Sequence, residues 1–159
     1  MGKKFKDIKF GDTVYVISVF VIFNGRGDNS DDELMIKIEG IYPMLSIYDS
    51  SGLSTFFVNR IIDTNEYTTR LLLSNEKVES EIEYSSQTAK LMMVEISESD
   101  KNNDFVINRM YDGSIKIYST SIESLRKCHS KVIDAIMTSE ANKSNRRMSS
   151  LMELKNRKL

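Results

Sequence analysis

The sequence predicts a mainly β (α+β) fold, an antiparallel barrel or sandwich that ends in a C-terminal helix. Short runs of β-branched and aromatic residues recur along residues 1–118 and are separated by turn-forming residues, as in consecutive antiparallel strands. No helical pattern lies between these runs, as a parallel α/β fold would require. After residue 119 the apolar residues recur at helical spacing instead. We therefore divide the chain into a β-rich domain, 1–118, and a helical arm, 119–159.

Among the predicted strands, Thr13–Phe23 has the strongest signal. Its last ten residues read VYVISVFVIF, and such a nearly continuous apolar run is typical of a central strand that is buried on both faces. Small and polar residues predict turns at Ser50-Ser51-Gly52 and at Asp112-Gly113. The remaining strands are predicted at 34–39, 45–48, 54–62, 67–73, 77–84, 89–96, 105–111 and 114–118.

The C-terminal segment has the pattern of a helix. Its start fits a capping box, in which the Thr120 hydroxyl and the Glu123 carboxylate would accept hydrogen bonds from exposed backbone N–H groups. Residues 138–147 are polar apart from Ala141, and a weaker apolar stripe resumes after them. The segment is therefore either one long helix or two helices with a hinge near 142–145. The apolar positions at helical spacing are Ile122, Leu125, Val132, Ile133, Ile136 and Met137, followed by Met148, Leu151 and Met152.

Charge is distributed unevenly along the chain, although the net charge is only −1. Residues 1–120 hold 13 Lys/Arg and 19 Asp/Glu, a net charge of −6. Residues 121–159 hold 9 Lys/Arg and 4 Asp/Glu, a net charge of +5. Such asymmetry is typical of an interaction arm, and the alternative is that the basic arm folds back on the acidic body.

The chain opens with the motif Phe5-x-x-Ile8-x-x-Gly11-Asp12-x-Val14-Tyr15-Val16, which resembles the first strand of SH3-like barrels. Together with the step Tyr118-Ser119-Thr120 before the helix, it also resembles short uncharacterised proteins of phages and AT-rich bacteria. The resemblance implies an SH3-like barrel with a C-terminal helix, and a phage accessory or virion protein. It implies no chemistry and no cofactor.

Catalysis that depends on histidine or cysteine is not expected. His129 and Cys128 are the only residues of their types, and adjacent helical residues point about 100° apart, so they do not form a Cys–His pair. One Cys and one His cannot build a structural zinc site. Neither Gly25-x-Gly27 nor any other segment forms a phosphate-binding glycine motif. We predict no enzyme activity, no cofactor and no metal site.

The acidic segments do not predict a metal site or a catalytic site either. The loop 28–39 places Asp28, Ser30, Asp32 and Glu39 at EF-hand ligand spacing. Glu33 stands where the sharp turn needs glycine and the flanks read as strands, so we expect a solvated loop. Glu79, Glu81 and Glu83 alternate with apolar residues, which indicates the wetted face of a strand. The tripeptide Arg26-Gly27-Asp28 is interpreted as a chance occurrence.

The basic arm is the predicted site of interaction, through a protein partner or self-association into an oligomer. Nucleic acid is an alternative partner, since Lys and Arg bind phosphate backbones, but the arm has no aromatic residue for base stacking. A structural or assembly role in a virion is a further alternative. The predicted partner-binding residues are Lys143, Arg146, Arg147, Met148, Leu151, Met152, Arg157 and Lys158.

The N-terminal segment superficially resembles a signal peptide, with lysines before an apolar run. Asp7 and Asp12 interrupt the basic part, and no small-x-small cleavage site follows the run. Ten apolar residues are also too few to span a bilayer. We therefore expect no membrane association and a cytoplasmic location, in the host cell if the protein belongs to a phage, or a place in the virion.

Overall fold

A computed structural model of the chain describes residues 2–23, 46–65, 67–77, 90–111 and 113–156. These residues form strands in one antiparallel sheet and a C-terminal α-helix. The elements are β1 (Thr13–Phe23), β2 (Ser46–Ser50), β3 (Ser54–Asp63), β4 (Thr68–Ser74), β5 (Leu91–Ser97), β6 (Phe105–Arg109), β7 (Ile115–Ser119) and α1 (Ile122–Asn156).

Six of the strands follow the order β5-β4-β3-β1-β7-β6 and form a nearly closed, barrel-like sheet. The predicted class, mainly antiparallel β with a C-terminal helix, is therefore confirmed, and of the two predicted architectures the barrel is the one found. β2 lies off this path and pairs with β1. The two ends of the six-strand path are β5 and β6, so the described strands leave the barrel open between them.

The central position predicted for β1 is confirmed, as are its bounds. Its first residues pair with β3 on one side, and residues 15–19 pair with β7 on the other. Val14 and Val16 are buried, whereas Tyr15 and Ile17 are half-buried. The expectation of burial on both faces is therefore met only in part, because the second face is incompletely covered.

The turn predicted at Ser50-Ser51-Gly52 is wrong, because the chain does not reverse direction there. β2 and β3 both run antiparallel to β1, one after the other along its same side, so residues 51–53 interrupt a strand and do not reverse it. Ser51 fills the interruption: its Oγ accepts from the Ser18 N–H (2.7 Å) and its N–H donates to the Ser18 carbonyl (2.8 Å). A local turn signal cannot distinguish these two outcomes.

The hairpin predicted at Asp112-Gly113 is confirmed by the pairing of β6 with β7. The Met110 N–H donates to the Ser114 carbonyl (2.9 Å) across the hairpin, and Asp112 itself lies outside the described residues. Gly113 has φ of +87°, a conformation that glycine adopts without the steric penalty of a Cβ atom. Three-residue hairpin loops commonly have glycine at such a position.

The other predicted strands within the described ranges are all found, with ends within two residues of the prediction. The predicted strands at 34–39 and 77–84 lie outside the described residues. The core fills the barrel interior and includes Phe5 and Ile8 from the opening motif. Its buried members are Phe5, Ile8, Val14, Val16, Phe56, Val58, Leu71, Leu73, Val94, Ile96, Val106 and Tyr118.

The C-terminal segment is one continuous helix, so the two-helix alternative is excluded. The predicted cap is wrong by one residue: the Ser121 Oγ accepts from the Ser124 N–H (3.4 Å), as an N-cap does with the third helical residue. The Thr120 hydroxyl donates instead to the Lys3 carbonyl. A contact with the distant N-terminal segment therefore takes the side chain that the local pattern assigned to the cap.

The Gly-Asp turn before β1 is held by the Asp12 carboxylate. It accepts hydrogen bonds from the Lys9 backbone N–H (2.8 Å) and from the Lys3 ammonium (2.9 Å). Partial burial raises the pKa of Asp12, but the bonds and charges of Lys3 and Lys9 outweigh it and leave the pKa below its ordinary value. Gly11 completes the turn with φ of +83° and donates its N–H to the Val58 carbonyl (2.8 Å).

Gly11→Ala is expected to lower the free energy of unfolding by about 1 kcal/mol, because alanine is strained at positive φ. Gly52→Ala is the matched control, since Gly52 has no positive φ and a Cβ added there would contact nothing within 4 Å. Urea denaturation of both variants measures the difference. Equal stability of the two variants would contradict a structural requirement for glycine at residue 11.

Candidate functional site

The first candidate site is the helical arm. The chain divides into two compact units, Met1–Leu125 and Arg126–Leu159, so most of α1 belongs to the second unit. At 1.5 Å per residue, the 35 residues of the helix span about 52 Å. Met137 is 63% exposed, and all residues of the segment 141–145, including Lys143, are exposed.

The structure brings most of the predicted arm residues onto one helix. Met148, Leu151 and Met152 stand three and four residues apart in α1, so they share a helix face. Arg146 and Arg147 lie in the same turns, although only the backbone of these five residues is described. Arg157 and Lys158 lie outside the described residues.

Lys143 makes an exposed ion pair with Glu140, with its Nζ atom 3.4 Å from Oε1. An exposed pair one helical turn apart contributes only a few tenths of a kcal/mol. This contact therefore leaves the Lys143 ammonium accessible to a partner at little energetic cost.

The second candidate site is a groove of about 530 Å³ beside the opening of the barrel, which we name the seam groove. It lies between β5 and β6, the strands at the two ends of the sheet path. Residues of β4 and of the short segment after β5 also line it. Its volume is in the range of ligand-binding pockets. The lining residues are Thr68, Arg70, Met93, Glu95, Ser97, Asp100, Ile107, Asn108, Arg109 and Met110.

Apolar and charged side chains alternate around the seam groove. Met93, Ile107 and Met110 are 38%, 42% and 41% exposed. Within the part of the chain that the structure describes, the side chains of Arg70 and Arg109 make no ion pair and no hydrogen bond. The groove therefore offers apolar surface together with two guanidinium groups and the carboxylate of Glu95, which stands opposite Arg70 in the strand register.

At the end of β5, the Asp100 carboxylate is already engaged. Its Oδ2 atom accepts from the Ser97 hydroxyl (2.7 Å) and from the Ser97 N–H (3.3 Å). These bonds occupy the Ser97 N–H and hydroxyl at the C-terminal end of the β5 edge.

A third polar cluster, centred on Asp104, is structural. Its carboxylate accepts from the Gly2 N–H (3.0 Å) and from the Ser124 hydroxyl, which joins the N-terminal segment to the first turn of α1. Partial burial raises the pKa of Asp104, but these hydrogen bonds outweigh it and hold the pKa below its ordinary value. A Cβ atom on Gly2 would lie 2.5 Å from the Thr120 Oγ1 atom, so the N-terminal segment packs closely against the residues that precede α1.

The remaining predicted sites can be placed as follows. Cys128 is buried on α1, and its neighbour His129 follows it on the same helix. The segments 26–39 and 79–83 lie outside the described residues. In the described ranges, no group of three or more His, Cys, Asp or Glu residues is placed to hold a metal ion.

Sequence reasoning missed the seam groove. One signal was present: Met93 and Ile107 are apolar residues at positions of their strands that face outward, where alternation calls for polar residues. No helix among the described residues has the length and apolarity needed to cross a membrane. Comparisons with protein-family models, with curated proteins and with solved structures found no match for this chain.

Proposed function

We propose that this chain is a non-enzymatic binding module that associates with a protein partner, or with a second copy of itself, through the arm. The β barrel is the scaffold, and the helix from Arg126 onward is the contact element. The observation that supports the proposal is the length of α1, which continues as far as Asn156. The resemblance to phage proteins stays a prediction and is not needed for this proposal.

A helix of this length needs a source of stability beyond its own backbone. Isolated helices are marginal in water, and most helical stability in proteins comes from packing of an apolar face. Residues 138–147 provide no such face, and Met137 leaves most of its side chain in solvent. Covering Met148, Leu151 and Met152 with a partner would supply it, at about 1.5–3 kcal/mol for each side chain fully buried.

Charge supports a protein surface of acidic character as the partner. The body carries a net charge of −6 over residues 1–120, opposite in sign to the arm. Complementary charge speeds association and fixes orientation more than it adds affinity. A body surface of one copy is therefore a suitable partner for the arm of another copy, and the contact would weaken as salt shortens the Debye length below about 8 Å.

Light scattering at low and high salt tests the proposal. We expect the wild type to associate, and the double variant Arg146→Glu plus Arg147→Glu to associate at least tenfold more weakly, a change of about 1.4 kcal/mol. Removal of residues 140–159 is expected to abolish association without unfolding the barrel. The measurements are the weight-average mass and the circular dichroism spectrum.

Lys4→Glu plus Lys6→Glu is the matched control. These lysines are exposed on the body, and the double variant changes net charge by the same amount as the arm variant. The control is expected to associate at least as tightly as the wild type, because it makes the body more acidic. Equal weakening in both double variants would assign the effect to net charge alone, and unchanged association after truncation would refute the role of the arm. Binding of duplex DNA with a steep salt dependence, lost in the arm variant, would favour nucleic acid as the partner.

A further inference from the structure

The seam groove is bordered by β5, which within the described ranges is paired on one side only. Asn75 N–H donates to the Lys90 carbonyl (3.1 Å), so these two residues form a hydrogen-bonded pair at the start of the β4–β5 ladder. Hydrogen-bonded and non-hydrogen-bonded pairs alternate along an antiparallel ladder. Met93 and Glu95 therefore direct their N–H and C=O groups away from β4, towards the opening.

The same reasoning applies to β6 on the other side of the groove. The bond from Met110 N–H to the Ser114 carbonyl marks a hydrogen-bonded pair at one end of the β6–β7 ladder. By alternation, Ile107 and Arg109 direct their backbone groups away from β7. Within the described ranges, β5 pairs only with β4 and β6 only with β7, so both edges face the opening unpaired.

The seam groove combines the edges of β5 and β6 with apolar and charged side chains. Proteins that bind a peptide by adding it to a sheet as a further strand use this arrangement. An extended peptide gains affinity from main-chain hydrogen bonds and specificity from alternate side chains. In the part of the chain that the structure describes, Ile107 and Arg109 have no strand partner on this edge, and both also line the groove with their side chains. A small rounded ligand could not use such a row of donors and acceptors.

We propose that the seam groove binds an extended peptide segment of a partner protein, which adds as an antiparallel strand to the free edge of β6. Apolar residues at alternate positions of the peptide pack on Met93, Ile107 and Met110. A carboxylate of the peptide pairs with the Arg70 or Arg109 guanidinium, neither of which has an ion pair within the described part of the chain. The groove belongs to the unit Met1–Leu125, so this inference does not depend on the arm.

Ile107→Pro is the most direct variant. Proline removes the N–H on the free edge and keeps the ladder with β7, because the bonds to β7 come from neighbouring residues. Ile107→Val is the matched control that retains the N–H. Arg109→Met removes a groove cation, and Lys90→Met makes the same kind of change at an exposed residue outside the groove.

The probe is a bead-synthesised library of random octapeptides, screened with the full chain. We expect the wild type, Ile107→Val and Lys90→Met to enrich peptides with alternating apolar residues and a carboxylate. Ile107→Pro should enrich none of them, and Arg109→Met should bind the selected peptides about tenfold more weakly, as fluorescence anisotropy would measure. Circular dichroism checks that each variant is folded.

N-methylated copies of a selected peptide keep the test decisive even if Ile107→Pro does not fold. Methylation of the amides on one edge of the peptide should abolish binding to the wild type, and methylation of the alternate amides should leave it intact. Binding that survives both methylation patterns, or a wild type that enriches no peptides, would overturn the proposal. Self-association of the wild type that is lost in Ile107→Pro, without peptide enrichment, would overturn it in favour of a second copy as occupant.

Discussion

Leu73→Ala is expected to lower the free energy of unfolding by about 2–5 kcal/mol, because it removes buried methyl groups and leaves a cavity that the core fills only in part. Leu73 is 0% exposed, and it lies in β4 between Val58 of β3 and Met92 of β5. The cavity would therefore open in the barrel core, and the strands paired on both sides of β4 restrict relaxation. Urea denaturation followed by circular dichroism measures the loss.

Leu53→Ala is the matched control for this substitution. Leu53 is 44% exposed in the interruption between β2 and β3, so the same chemical change removes far fewer buried contacts there. We expect a loss below about 0.5 kcal/mol, as for other surface positions. A Leu73→Ala variant that is no less stable than the control would show that β4 does not contribute to the core as described.

Raising the pH from 10 to 12 is expected to destabilise the fold by about 2 kcal/mol through the ionisation of Tyr118 alone. Burial in the barrel raises the pKa of Tyr118 from 10.0 to about 12. The folded state thus holds the phenol proton more tightly than the unfolded state. Its stabilising contribution is fully present below pH 10 and is lost as the pH rises through the folded pKa.

Tyr118→Phe separates this effect from general alkaline denaturation. The variant keeps the ring in the core and has no phenol to ionise, so its stability should fall less between pH 10 and 12 than that of the wild type. Urea titration at each pH measures the free energy of unfolding. Its slope against pH is then compared between the wild type and the variant. Identical slopes would mean that the Tyr118 phenol is accessible to solvent in the folded protein.

The individual strands could be predicted because their signals are local. In Thr13–Phe23 the β-branched and aromatic residues define the strand by themselves, and glycine at residue 113 defines the hairpin between β6 and β7. The change to helical spacing likewise located α1. In each case the deciding residues are neighbours in the sequence.

The errors arose where a distant contact decides the local structure. Thr120 fits the cap of a helix, but its hydroxyl is bound to the carbonyl of Lys3, and Ser121 caps the helix instead. Residues 50–52 have the composition of a reversal, but β1 is long enough to pair with β2 and β3 in succession. Neither outcome can be read from a window of a few residues.

The two candidate sites also differ in whether neighbouring or distant residues define them. The arm was visible because its charge and its apolar stripe are properties of consecutive residues, and it stays a proposal about function. The seam groove depends on where the barrel stops closing, which is set by the register of five strand pairs along the path from β5 to β6. Met93 and Ile107 could have been noted as outward-facing apolar residues, but only the strand order brings them to one groove.

The central position of β1 also has a consequence for synthesis on the ribosome. Tyr15 pairs with Ser119, so one edge of this apolar strand stays open until about 100 more residues have been made. At about 5–20 residues per second, that delay lasts roughly 5–20 s, during which the nascent chain exposes a strand suited to pairing with other chains. Pairings so distant in sequence also slow folding itself. Yield of native protein from a cell should therefore depend on chaperones that shield early strands and on the rate of translation.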